Sequence, residues 1–160
     1  MKKLVLLALL ALLITGLHAQ EKKETNNPEK KVAVPELVKK SFAKEFPAAV
    51  KAEWGIEKPG EYEVEFTSNK AEMSALFDET GALLEIETEI EKSELPPAIT
   101  EALSKDFTGY KFDEFEKNDS KGTITYEMEA KKDKEKFELV FDTNGTLLKK
   151  VNEKESKEND

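Results

Sequence analysis

The sequence predicts an α+β fold, two tandem α-β-β-β-β units building an antiparallel sheet with one face covered by two helices. Three observations lead there. The stretch Phe77-Asp78-Glu79-Thr80-Gly81-Ala82-Leu83-Leu84 returns as Phe141-Asp142-Thr143-Asn144-Gly145-Thr146-Leu147-Leu148. Each copy carries Asp early and Gly late between apolar ends, the signature of a β-hairpin whose glycine takes positive φ. Upstream of each hairpin, apolar residues first recur every fourth position and then every second, which marks a helix followed by strands.

Before the first unit, Met1-Lys2-Lys3, an apolar run from Leu4 to Leu17 and a small residue at Ala19 form the pattern of a secretory signal peptide over residues 1–19. The run is shorter than the roughly 20 residues a membrane span needs. Cleavage is expected after Ala19, so the mature chain starts at Gln20 and has no membrane insertion. Residues 20–33 and 152–160 are nearly all Lys, Glu, Asn, Thr, Ser and Pro. They read as a disordered leader and tail, because such composition buries too little to offset chain entropy. The domain then spans 34–151, with repeat one at 34–91 and repeat two at 95–151.

The first helix follows Val34-Pro35 and lines Val38, Phe42 and Phe46 on one face. The second follows Leu95-Pro96 and lines Ile99, Leu103 and Phe107. Proline fits a first helical turn, where its missing N–H costs little, and Pro47 and Gly109 mark the two exits. Val50, Ala52, Trp54 and Ile56 then alternate against polar neighbours, the mark of a strand with one buried face. Tyr62, Val64 and Phe66 continue the pattern, as do Met73, Ala75 and Phe77, then Leu84, Ile86 and Thr88. In the second unit Tyr110 and Phe112 begin a strand that Phe115 leaves out of phase, which reads as a bulge or an early strand end. Ile124, Tyr126 and Met128 follow, then Phe137, Leu139 and Phe141, then a short strand to Val151. Short connections imply antiparallel neighbours, and the two units are expected to share one core. Aligning Trp54 with Phe115 and Tyr62 with Tyr126 predicts a longer loop in the second unit. With Trp54 in the core phase, a ligand-stacking role for it is not favoured.

Composition narrows the function. The formal charge is −9, and loss of Lys2 and Lys3 with the signal peptide takes it to −11. There is no arginine and no cysteine, and His18, the one histidine, lies in the signal peptide. Clustered positive charge, which nucleic acid requires, is missing. Thiol and histidine chemistry and ordinary zinc sites are excluded from the mature chain, so no enzyme, no metal and no cofactor is expected. Asp78-Glu79 and Asp142 lack the spacing of a calcium loop and read as turn residues. The strand phase puts Glu53, Glu63, Glu65, Glu85, Glu87, Glu127, Glu129 and Glu138 on the sheet face away from the helices, with Leu76, Val140 and Leu83 as its apolar members. That acidic face is the candidate site for a protein or peptide partner, more basic than not, engaged by a monomer.

Several of these residues also carry a resemblance. Pro35-x-x-Val38-x-x-x-Phe42-x-Lys44-Glu45-Phe46, the Trp54 strand, Tyr-Glu-Val-Glu from Tyr62, Tyr-Glu-Met-Glu from Tyr126 and the doubled Phe-Asp-x-x-Gly-x-Leu-Leu hairpin resemble the PepSY-like family, whose fold is like that of the β-lactamase-inhibitor protein. The likeness spans Val34 to Val151. It implies a periplasmic or secreted protein of the kind common in Bacteroidetes, with a tandem fold, no catalytic activity and an inhibitor-like binding role by analogy. The chain lacks the disulfides of that inhibitor, and no inhibitory residue carries over. The alternative is low-affinity binding of divalent cations or basic ligands by surface carboxylates.

Overall fold

The computed structural model describes residues 32–152. Helix α1 (Glu36–Glu45) is followed by β1 (Val50–Lys58), β2 (Glu61–Ser68), β3 (Ala71–Asp78) and β4 (Leu83–Glu89). A single 3-10 turn at Lys92–Glu94 leads to α2 (Pro97–Asp106), and β5 (Lys111–Ser120), β6 (Thr123–Lys132), β7 (Glu135–Asp142) and β8 (Leu147–Asn152) complete the chain. All eight strands form one antiparallel sheet in the order of the sequence, β1 to β8. No described helix is long and apolar enough to cross a membrane.

The registers fix which residues share a face. Phe66 pairs with Met73, Met73 with Thr88, Thr88 with Lys117, Lys117 with Tyr126 and Tyr126 with Phe141. Directly paired residues point the same way, so this row runs beneath both helices. Val38 of α1 packs with Val64, Phe66, Ala75 and Phe77. Ile99 and Leu103 of α2 pack with Met128, Ala130, Leu139 and Phe141. Trp54 meets Phe42 edge-on at 5.4 Å, in keeping with its core phase.

The helix spacing and the hairpins agree with the sequence reading. Asp78 Oδ1 accepts the N–H groups of Thr80 at 2.9 Å and Ala82 at 3.0 Å, and Asp142 Oδ1 accepts those of Asn144 at 2.9 Å and Thr146 at 2.8 Å. Gly81 and Gly145 have φ of 82° and 81°. Each glycine also abuts a helix: a Cβ at Gly81 would meet Leu37 O at 3.0 Å, and one at Gly145 would meet Ala98 O at 2.5 Å. The repeated turn is therefore the point where each hairpin rests on its own helix.

Five expectations need correction. The two halves do not share one core: two apolar clusters form, one under each helix. Between them the helix-side positions of β4 and β5 hold Ile86, Thr88, Lys117 and Asp119, of which only Ile86 is apolar, and it belongs to neither cluster. Val50 does not face the helices, because Lys51 takes a φ of 57° and the register shifts between Val50 and Glu53, so Val50 is 56% exposed. Ile56 keeps the helix-side phase opposite Tyr62 but is 57% exposed on the edge strand β1. Leu83 pairs with Phe77 and packs into the first cluster, while Leu84 is the extra residue of a register shift. The second unit has no longer loop: both turns have two residues, Pro59-Gly60 and Lys121-Gly122, and the added length lies in β5 and β6.

Candidate functional site

The face away from the helices is built from two long cross-strand rows. In one, Glu53 pairs with Glu65, Glu65 with Ser74, Ser74 with Glu87, Glu87 with Asn118 and Asn118 with Thr125. In the other, Glu89 pairs with Glu116, Glu116 with Glu127, Glu127 with Val140 and Val140 with Lys149. Glu63 lies opposite Leu76, which in turn faces Glu85, and Glu129 lies opposite Glu138. All eight carboxylates expected on this face are there.

Their surroundings differ, and Glu85, half-buried opposite Leu76, lies between the extremes. Glu129 and Glu138 are buried and neutralised by the chain's own cations. Lys131 and Lys136 pair with Glu129, and Lys149 reaches Glu138 Oε1 at 2.6 Å. Glu63, Glu87 and Glu127 have no such lysine among the ion pairs of the described residues. The Ser74 hydroxyl donates to Glu87 Oε2 at 3.0 Å, and Glu63 Oε1 is buried without a hydrogen-bond partner. Glu53 and Glu65 stand exposed at the β1 and β2 side.

Desolvation decides the electrostatics of the unpaired group. Burial, followed by repulsion from Glu65, Glu57 and Glu87, raises the Glu63 carboxyl to about 7. Burial raises Glu87 to about 7 against the pull of the Ser74 hydroxyl, with Glu85 and Glu57 adding to the rise. Burial, then Glu138, Glu116 and Glu87, raises Glu127 to about 8, with Lys149 acting weakly the other way. A carboxyl raised this far keeps its proton near neutral pH, and a cation docking beside it would favour the charged form again.

Two members of the face escaped the sequence reading. Glu116 is raised to about 7 by burial and then by Glu87, Glu114, Glu89 and Glu138, so it sits at the centre of the acidic field. Asn118 is only 6% exposed, and its Oδ1 is buried with no hydrogen-bond partner. Both follow the bulge at Glu114, where φ is 51° and the register shifts between Asp113 and Glu116. The out-of-phase Phe115 was the available signal: restarting the alternation from it puts Glu116 and Asn118 opposite the helices. Among the described residues, no three acidic side chains converge in the manner of a metal site.

The family described as "Putative beta-lactamase-inhibitor-like, PepSY-like" matches the chain twice, over residues 20–85 and 60–149. Among solved structures, one described as "putative periplasmic proteins" from Bacteroides eggerthii aligns with a TM-score of 0.70 at 17% identity, covering 76% of this chain and 90% of that one. A BLIP-like protein from Bacteroides fragilis aligns with a TM-score of 0.67 at 20% identity, over 78% of this chain and 89% of that one. A DUF2874 family protein from Bacteroides ovatus gives 0.68 at 22% identity, over 76% and 89%. No curated protein matches the sequence. At these identities the structural likeness is one of fold. With two family matches reaching from residue 20 to residue 149, the chain belongs to the PepSY-like, beta-lactamase-inhibitor-like family.

Proposed function

We propose that the protein is an exported binding module without catalytic activity, which engages a basic protein or peptide through the open face of its sheet. The observation that carries this reading is the group of partly buried carboxyls on the open face at Glu63, Glu87, Glu116 and Glu127, which no lysine among the ion pairs of the described residues meets and whose ionisation burial disfavours until a cation arrives. Holding such a group unpaired costs stability that a structural role does not recover, whereas a cationic partner does. The family description as inhibitor-like agrees with a binding role, and the fragilis relative is described as BLIP-like. Export is supported by the signal-peptide pattern over residues 1–19, which lies outside the described residues, and by the "periplasmic" description of the eggerthii relative. We read the two halves as copies of one α-β-β-β-β unit, on the strength of the repeated element order and the two equivalent glycine contacts.

The test is capture from the native envelope fraction by immobilised protein, repeated with a variant carrying Glu63→Gln, Glu65→Gln, Glu87→Gln and Glu127→Gln. Glu129 is left intact, because its charge already pairs with Lys131 and Lys136. A basic partner retained by the wild type at low salt, released as salt rises and lost by the variant, is the expected result. Equal retention by both proteins sinks the reading. Intact mass in the same envelope fraction is expected to start at Gln20; a chain beginning at Met1 in the cytoplasm would refute export.

A further inference from the structure

At the join of the two halves, β4, β5 and β6 bring four acceptor side chains side by side. Glu87 pairs directly with Asn118, and Glu116, two residues before Asn118, pairs directly with Glu127. We propose that this patch is the seat of one arginine side chain of the partner, its guanidinium lying across the three strands. The inference rests on the binding role proposed above and names the chemistry of its centre.

Asn118 is the observation that separates this patch from an ordinary acidic surface. The residue is only 6% exposed, it points to the same face as its pair Glu87, and its buried Oδ1 has no donor. Buried amide oxygens are nearly always satisfied, because one left without a donor has given up its hydrogen bond to water and gained none in return. An incoming N–H supplies the missing donor, and the three carboxyls, which give up their protons more readily once a cation lies beside them, favour a donor that is itself cationic.

The shape of the patch selects the cation. Adjacent strands lie about 4.8 Å apart, so the acceptors form a broad, shallow array instead of closing on a point. A divalent cation needs oxygens gathered within about 2.6 Å of one centre, and no three acidic side chains among the described residues gather in that way. An ammonium offers three donors on one atom, is strongly hydrated and loses that hydration here. A guanidinium is flat, offers five donors spread over its fork and is the less hydrated of the two cations. The chain has no arginine of its own, and Lys131, Lys136 and Lys149 are committed to Glu129 and Glu138. The raised carboxyls of Glu87, Glu116 and Glu127 agree with a site still awaiting its counter-charge.

The experiment titrates isotope-labelled protein with N-acetyl-arginine amide, N-acetyl-lysine amide and calcium chloride, following backbone amides and the Asn118 side-chain amide by NMR. The arginine probe is expected to give saturable shifts centred on β4, β5, β6 and the Asn118 amide, at least about fivefold tighter than the lysine probe. Glu116→Gln, which keeps size and polarity, is expected to weaken the arginine probe about tenfold with the rest of the spectrum intact. Equal affinity for lysine, tighter saturation of the same resonances by calcium, or an arginine response indifferent to Glu116→Gln overturns the seat. A partner captured through the face while the arginine probe leaves Asn118 unmoved overturns the seat alone and leaves the wider binding role standing. A seat that binds the probe when no basic partner is captured overturns the wider role instead.

Discussion

Glu127 shows how one side chain is asked to do something unfavourable. Its carboxyl, raised to about 8 chiefly by burial, binds its proton more tightly in the folded chain than in the unfolded one. Between the ordinary carboxylate range and about pH 8 the folded state therefore holds the extra proton, and stability falls as pH rises through that window. Glu127→Gln removes the ionisation. It is expected to raise stability at pH 8 by about 1–2 kcal/mol, after allowing for solvent screening at this partly open face, and to change little at pH 5. Urea unfolding at the two pH values checks this, and an equal effect at both would refute it. Asp78 and Asp142 work in the opposite sense. The Thr80 hydroxyl, then the Ala82 N–H, hold Asp78 below its usual range, and the Thr146 N–H does most for Asp142. Their contribution is complete above the ordinary aspartate range and is lost as pH falls below it. The turn role of both was legible from spacing alone, since Asp before Gly at that interval has one common use. The condition of Glu127 was not, because desolvation depends on which carboxylates the registers place beside it.

At the scale of the element, the hairpin and the helix behave as one part. Gly145 has φ of 81°, and a Cβ there would meet the Ala98 backbone oxygen at 2.5 Å. Gly145→Ala therefore combines a disfavoured backbone with a contact that no side-chain rotation relieves, and is expected to cost about 2–4 kcal/mol. Gly109 has φ of 85° but nothing within 4 Å, so Gly109→Ala isolates the backbone effect at about 1 kcal/mol. Similar losses at the two positions, measured by chemical denaturation, would remove the docking argument. Both helices, all eight strands and the Glu114 bulge were readable because hydrophobic period is set by local geometry. What escaped was phase after a bulge. One inserted residue reverses the phase between the two sides of the bulge, so Lys51 leaves Val50 before it on the other face from Trp54, and Glu114 does the same to Glu116 and Asn118 after it. The centre of the candidate site was therefore hidden by the same irregularity that creates it.

At the scale of the molecule, the two apolar clusters meet only through the sheet, where β4 and β5 pair from Ile86 to Glu89 against Glu116 to Asp119. That join is short, yet separation would expose two internal strand edges. Residues 32–91 alone are expected to show no sharp thermal transition. Residues 92–152, with Phe107, Phe115, Met128, Leu139 and Phe141 in their cluster, are expected to melt at least about 10 °C below the whole. Calorimetry of the two fragments checks both, and a sharp transition near that of the whole in each would show the halves to be independent. The order of the strands has a further bearing on how the chain acquires its structure. Since every strand lies beside its neighbour in sequence, each hydrogen-bonded ladder closes over a hairpin or, once, over the short α2 crossover. Loops of that length close at small entropic cost, and a low mean separation between partners goes with rapid folding. A chain fed end-first through a membrane pore thus finds, for each strand as it emerges, its partner already waiting on the far side. If the chain is exported as proposed, the first helix and its four strands can assemble before the second half emerges, so that β5 arrives at a ready template and β7 and β8 complete the open face last.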